Sequence, residues 1–322
     1  MTDSARPDAP VSKVLRLEEM TMPELDALDR ERTLIAIPIS PLEAHGPHLP
    51  LGTDGFMANQ MSDEVLGRLA ERRPDWTYVT TPWLPLGCYT LHMPGSIEVP
   101  QEEVRGALIA YGRALANQGF RRIVVFNGHG GPGHGAAIEE ACRRVSRARG
   151  VRMVYPLGRV LTDIMKGKLV DRIADALGRP LTDEERDELA HDFHAGRMET
   201  SLVLYKLPHL VKGTPADLPP VVSSMVGMLR YWWGDRVGRG PGYMGFPARA
   251  DAEFGRALEA AITGVLADLV MRLMDGENLR RETASEFYRN PLFRTRARPL
   301  TRTLEMVGRI TSAALGKAGI PG

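Results

Sequence analysis

Arg122-Ile-Val-Val-Phe126, running directly into Asn127-Gly-His-Gly-Gly-Pro-Gly-His-Gly135, decides the fold of this 322-residue chain. Four apolar residues in succession, three of them β-branched, read as a strand buried on both faces. The glycine-rich turn opens a helix that continues to about Arg149, and a further strand follows at 151–155 (VRMVY). The same rhythm stands upstream. Residues 33–40 (TLIAIPIS) read as a buried strand and 56–69 have helical spacing; 76–82 (WTYVTTP) read as a strand and 101–118 as a helix. Strands alternating with helices of about four turns require right-handed crossovers, so the sequence predicts an α/β fold with a mainly parallel central sheet covered on both faces.

Downstream the rhythm breaks. Residues 161–190 are charged and helix-prone, with a capping box at Thr182-Asp-Glu-Glu185 that starts a helix. This insert reads as a solvated helical excursion, with a lid over the site as the alternative. A helix at 199–207, a Pro-punctuated loop at 215–220, an aromatic and Gly-rich loop at 231–247 and a long amphipathic helix at 250–274 follow. The expected division is a disordered or extended N-terminus at 1–13, one domain at 14–276 carrying the insert, and a C-terminal arm at 277–322 packed on the domain or on a neighbouring subunit.

Composition narrows the function. With 41 Lys+Arg against 40 Asp+Glu, a net charge of +1 and 43% hydrophobic residues, the chain is neither disordered nor fibrous, and neither nucleic acid nor a membrane is expected as a partner. Two cysteines, Cys88 and Cys142, exclude a disulfide framework, and no CxxC suggests structural zinc. Residues 1–10 lack the apolar core of a signal peptide, and no apolar run approaches the roughly 18–20 residues that span a bilayer. The expected location is cytoplasmic.

Three clusters carry chemistry. In the first, Glu43-Ala-His45 lies in extended chain after the first predicted strand, where residues i and i+2 point to one side. Gly46, Pro47 and Pro50 then turn the chain and can bring Asp54 back, making a mixed O/N donor set suited to zinc, manganese or iron(II). In the second, Gly128-x-Gly130-x-x-Gly133 matches a dinucleotide fingerprint, which would make the protein a nicotinamide oxidoreductase. That reading needs an acid at the end of the next strand, where Val154-Tyr-Pro-Leu157 has none, and Pro132 removes an amide that should face phosphate. His129 instead sits at a strand's carboxyl end, where open α/β sheets place their sites. The third is His191-Asp-Phe-His194-Ala-Gly-Arg-Met-Glu199-Thr-Ser201, which adds imidazoles and carboxylates.

Taken together, residues 40–54, 127–132 and 194–201 resemble, in order, the three motifs of the creatininase (creatinine amidohydrolase) family. His92-Met-Pro-Gly-Ser96 and Gly242-Tyr-Met-Gly-Phe-Pro247 are softer matches. The resemblance implies a three-layer α/β/α metallohydrolase that is a homo-oligomer, a hexamer, with two divalent ions per chain, zinc first and manganese or iron(II) as alternatives. It carries Glu43, His45, Asp54 and His129 over as metal ligands with Asp54 as the bridge, and His194 as the catalytic histidine. Creatininase proper has a glutamate where this chain has Gly131, so Glu199 is taken as the fifth ligand and creatinine itself is disfavoured as substrate. The expected reaction is hydrolysis of a C–N bond in a small or cyclic amide by a metal-bridging hydroxide, with lactonase, deformylase and peptide-precursor peptidase as alternatives. Tyr89, His92, Trp232 and Trp233 are the candidate substrate-binding residues, since rings of this kind wall pockets or subunit contacts.

Overall fold

The computed structural model describes residues 14–222 and 240–294. Its centre is a five-stranded, wholly parallel sheet in the order β1-β3-β2-β4-β5, from β1 (Val14–Arg16), β2 (Thr33–Pro38), β3 (Thr77–Thr80), β4 (Arg122–Phe126) and β5 (Arg152–Val154). Strand β2 is buried at every position, which is why it reads as continuous rather than alternating hydrophobicity. It pairs with β4 from Leu34↔Arg122 to Pro38↔Phe126. The three-residue β1 carries too little pattern to be read from sequence.

After the short α1 (Met22–Asp26), right-handed crossovers put α2 (Thr53–Arg72), between β2 and β3, on one face of the sheet. They put α3 (Gln101–Asn117) and α4 (Pro132–Arg149) on the other, packed against each other. The long helix Ala252–Met274 packs against α2 and against α8 (Arg197–Lys206) to complete the first layer. Between β5 and α8 run α5 (Leu157–Met165), α6 (Val170–Leu177) and α7 (Asp183–Ala190). The predicted box is present at the start of α7: Thr182 Oγ1 accepts from the Glu185 amide at 3.1 Å, and Glu185 accepts from the Thr182 amide at 2.9 Å.

Two consequences position the site. The connection leaving β2 runs toward β3 and the one leaving β4 runs toward β5, so their carboxyl ends flank the point where the windings diverge. At the far edge, the Ser146 hydroxyl of α4 accepts from the Met153 amide and donates to the Met153 carbonyl, both at 3.0 Å, closing the outward face of β5.

None of the described helices is long and apolar enough to cross a membrane. The described part of the C-terminal segment packs on α4 and α5 of its own domain. Arg143 donates to the Arg280 carbonyl, and Lys166 pairs with Glu286 of the short helix Glu286–Arg289.

Candidate metal centre

The loop after β2 turns as its sequence demands. Gly46 takes φ +67°, a left-handed conformation open to glycine, and the Glu43 amide donates to the Leu51 carbonyl at 2.9 Å to close the loop. That closure delivers Asp54 to the first turn of α2, where the helix N-terminus favours an acid. On β4 the loop is clamped by Asn127. Its Oδ1 accepts from the His129 amide at 2.9 Å and from the Ser40 hydroxyl at 2.9 Å, and its Nδ2 donates to the His129 carbonyl. Gly128 is glycine because a Cβ there would overlap the Asp54 carbonyl oxygen, and Gly133 because the Tyr89 ring lies on it. Two of the three fingerprint glycines thus serve internal packing, while a Cβ on Gly130 would meet open space.

Five candidate ligands meet at this place. His129 Nδ1 lies 2.9 Å from Glu43 Oε2 and 3.2 Å from Asp54 Oδ2; His45 Nε2 lies 3.1 Å from Asp54 Oδ1 and 3.5 Å from Glu199 Oε2. Asp54 therefore belongs to two triads, Glu43–Asp54–His129 and His45–Asp54–Glu199, through one oxygen each. The other side of each ring is spoken for. His129 Nε2 faces the Cys88 carbonyl at 3.1 Å and His45 Nδ1 faces the Glu43 carbonyl at 3.0 Å, so these nitrogens carry hydrogens and the opposite nitrogens, His129 Nδ1 and His45 Nε2, are the ones turned to the carboxylates. Glu43 Oε1 likewise takes the Leu91 amide at 2.6 Å and Glu199 Oε2 the Ala195 amide at 2.6 Å.

This arrangement fits divalent metal ions. Buried Glu43 Oε2 and Asp54 Oδ2 accept no well-directed hydrogen bond from any described residue. Donor atoms bound at about 2.0–2.2 Å around one tetrahedral ion stand about 3.3–3.6 Å apart, close to the 2.9–3.5 Å between histidine and carboxylate in the two triads. The electrostatics say the same. Asp54, with Glu199 and Glu43, holds His45 protonated against its burial, raising it to about 10, and Glu43 and Asp54 raise His129 well above its usual range. Burial and the nearby carboxylates push Glu199 up to about 7. The pocket is anion-rich and built for positive charge.

His194 stands beside this group, its ring centroid 4.3 Å from that of His45. Its Nε2 faces the Ala44 carbonyl at 2.8 Å, and burial lowers its pKa, leaving a neutral ring with Nδ1 free. It can also join Glu43 and His45 as a third donor group. His48, behind, is held by Thr200 at 2.9 Å and meets the Tyr243 ring edge-on. His134 is wholly buried 5.2 Å from the His129 ring.

Gly131 has no room for a side chain: a Cβ would overlap His129 Nε2. Glu199 reaches the centre instead from the first turn of α8. What holds α8 there is Asp192, which sequence reasoning passed over. Its buried carboxylate accepts from the Arg197 amide (2.7 Å), the Met198 amide (2.7 Å) and the Phe246 amide (3.0 Å), joining α8 to the loop of Met244. Gly196 and Gly245 are glycines because either Cβ would strike Asp192.

A cavity of about 120 Å³ opens on the centre, lined by Glu43, His129, His194 and Glu199 and walled by Leu161, Ile164, Phe193, Met198, Met244 and Phe287. Tyr89 and His92 are not part of its lining; Tyr89 packs on Gly133, and His92 pairs with Glu98 at 3.2 Å. Trp232 and Trp233 lie outside the described residues. The insert is more than a solvated excursion, since Leu161 and Ile164 of α5 face the cavity, and their i, i+3 spacing was the available signal.

Comparison with known proteins agrees with this geometry. A family model described as creatinine amidohydrolase (creatininase) matches residues 18–270. The mycofactocin precursor peptide peptidase of Mycobacterium tuberculosis is 31% identical over 253 residues, 74% of this chain and 85% of that protein. Two solved creatininases share the fold. A manganese form is 22% identical with a TM-score of 0.56 over 81% of this chain and 99% of that one. A variant in a zinc–zinc form is 21% identical with a TM-score of 0.55 over 80% and 98%. On the extent of these matches, the chain belongs to the creatininase family of hydrolases.

Proposed function

We propose that this protein is a dinuclear-metal-dependent amidohydrolase that cleaves a C–N bond in a small or cyclic amide. The observation that carries the reading is Asp54, whose two oxygens each complete a separate N/O triad. Glu43, Asp54 and His129 would hold one ion and His45, Asp54 and Glu199 the other. Three carboxylates against two divalent ions leave room for one further anion at neutrality. The zinc–zinc and manganese creatininase structures support either metal, and the donor set favours zinc, with iron(II) also compatible.

Bound there, such a pair supplies an acidified water near neutral pH and polarisation of an amide carbonyl. The chain does the rest. The Cys88 and Glu43 carbonyls keep both ligand rings in the tautomer that presents a lone pair. The Leu91 and Ala195 amides aim Glu43 and Glu199. His194, neutral and anchored through Nε2, offers Nδ1 to receive a proton and return it to the departing nitrogen, a role contributing about 10²–10⁴-fold. The cavity walls exclude water from the remainder of the substrate.

The peptidase named among the relatives supports a peptide-precursor substrate as the second reading, with lactones and formamides further outcomes of the same screen. A homo-oligomeric, hexameric assembly and a catalytic unit spanning 14–276 complete the proposal on the strength of the family resemblance, with a cytoplasmic location proposed beside it. The test pairs metal analysis with one variant. Protein purified without chelator should carry about two equivalents of metal per chain. His194→Ala should keep them while turnover of cyclic ureides, formamides, lactones or short peptides falls at least 10²-fold. Loss of metal in His194→Ala would make His194 a ligand and remove its proposed role; nicotinamide binding by metal-free protein would replace the proposal with the oxidoreductase.

A further inference from the structure

The proposed reaction leaves open what the substrate carries next to the bond that breaks, and the cavity wall bears on that. Six apolar side chains form it: Leu161 and Ile164 from α5, Met198 from α8, Phe193 and Met244 from the paired segments beside it, and Phe287 from the C-terminal segment. Among the described residues of the lining there is no lysine or arginine, so a substrate carboxylate or phosphate finds no counter-charge away from the centre. A cationic group fares no better. Asp192 is consumed by three backbone amides, and Glu43 and Glu199 are turned toward the imidazoles.

Size adds a limit. An apolar cavity of about 150 Å³ accepts benzene, so about 120 Å³ accommodates a branched or cyclic group of about four to six carbons. One side of the wall, α8, is tied to its neighbours. Arg197, at the start of α8, is buried against Glu185 (2.9 Å) and Glu188 (3.4 Å) of α7, and its guanidinium lies 4.2 Å from the centre of the Phe254 ring. Arg249 closes on Glu188 at 2.7 Å. These ties fix α7 of the insert to the helix that presents Glu199 and Met198.

We propose that the substrate is an uncharged amide bearing an apolar group of about four to six carbons beside the scissile bond. Leu161 and Ile164 of the insert and Phe287 of the C-terminal segment are its specificity-determining residues. The inference rests on the metallohydrolase reading above. The same chemistry is offered by an apolar side chain at a cleaved peptide end and by a small acyl or aryl amide.

Hydroxamic acids, which present an amide-like metal-binding head with a variable tail, test it by calorimetric binding to the metal-loaded protein. Affinity should rise about fourfold per methylene from acetohydroxamate to butyrohydroxamate. It should hold for benzohydroxamate and fall roughly tenfold or more for succinate monohydroxamate, whose carboxylate is left without a partner. A blocked leucine hydroxamate binding more tightly than isovalerohydroxamate assigns the peptide source; the reverse order assigns the small amide. Ile164→Lys should reverse the preference between butyrohydroxamate and succinate monohydroxamate at unchanged metal content. Leu161→Ala, which only enlarges the cavity, should move the optimum tail longer by one to three carbons. Affinities indifferent to the tail, or tightest for succinate monohydroxamate in the unaltered protein, overturn the proposal while leaving the metal reading intact. Failure to retain metal or bind any hydroxamate takes both down.

Discussion

Replacing Asp192 by alanine tests how the centre is held together. Three backbone amides converge on this carboxylate at 2.7, 2.7 and 3.0 Å, two from the first turn of α8 and one from the loop after Met244. Hydrogen bonds to a charged acceptor contribute about 1.5–3 kcal/mol each, so the three together contribute about 4.5–9 kcal/mol. Against this stands the burial of the charge, which raises Asp192 to about 6 even with the three bonds made, so the net contribution lies toward the low end of that range. The net loss expected for Asp192→Ala is about 4 kcal/mol, within a span of about 2–6. Urea unfolding followed by circular dichroism should show it as a lower midpoint at unchanged slope. Metal analysis after dialysis should show a second effect, because α8 presents Glu199. The ion at His45, Asp54 and Glu199 should be lost first. Asp192→Asn, which keeps size but sets an NH₂ against one backbone N–H, should fall between wild type and alanine. If alanine costs less than about 1 kcal/mol and both ions stay, then α8 is held by something other than this carboxylate.

Four further outcomes are expected. Gly131→Ala should push His129 Nε2 off the Cys88 carbonyl and weaken metal binding about 10–100-fold, read by competition with a chelator; unchanged affinity would show that the loop yields freely. Metal uptake at neutral pH should release about two protons per chain, from His45 and His129, measured by calorimetry in buffers of different ionisation enthalpy. Because His45 is raised to about 10 in the metal-free protein, its contribution to stability is complete below pH 6.5 and lost as pH rises through about 10. The metal-free melting temperature should therefore fall over that window while the metal-loaded one does not. Arg197→Met removes the buried arginine between Glu185 and Glu188, which keep Arg179 and Arg249 as partners, and should cost about 1–3 kcal/mol, seen as a melting temperature lower by roughly 3–8 °C.

Much of this protein was legible before its coordinates. Strand β4 was readable to the residue because a strand buried on both faces needs unbroken hydrophobicity, and Thr182-Asp-Glu-Glu185 because a capping box is a local device. The three polar clusters came together because all lie at strand or helix ends around one switch point. Less was readable where the physics is long-range. Nothing local in Asp192 says that its oxygens meet amides of both α8 and the Met244 loop. Phe287 reaches the cavity from a segment that reads as a peripheral arm. Tyr89 looked like a pocket ring but covers a glycine in the next loop, a choice made by packing partners far away in sequence.

The serine that folds back on Met153 reaches past its own helix. A parallel sheet with a bare border is an invitation to any extended peptide, and stacks of such borders are how many proteins aggregate. With its amide and carbonyl both engaged by one hydroxyl, Met153 has nothing to offer an incoming strand. Copies of this chain meeting along that border would have to associate through side chains rather than by adding a strand beside β5.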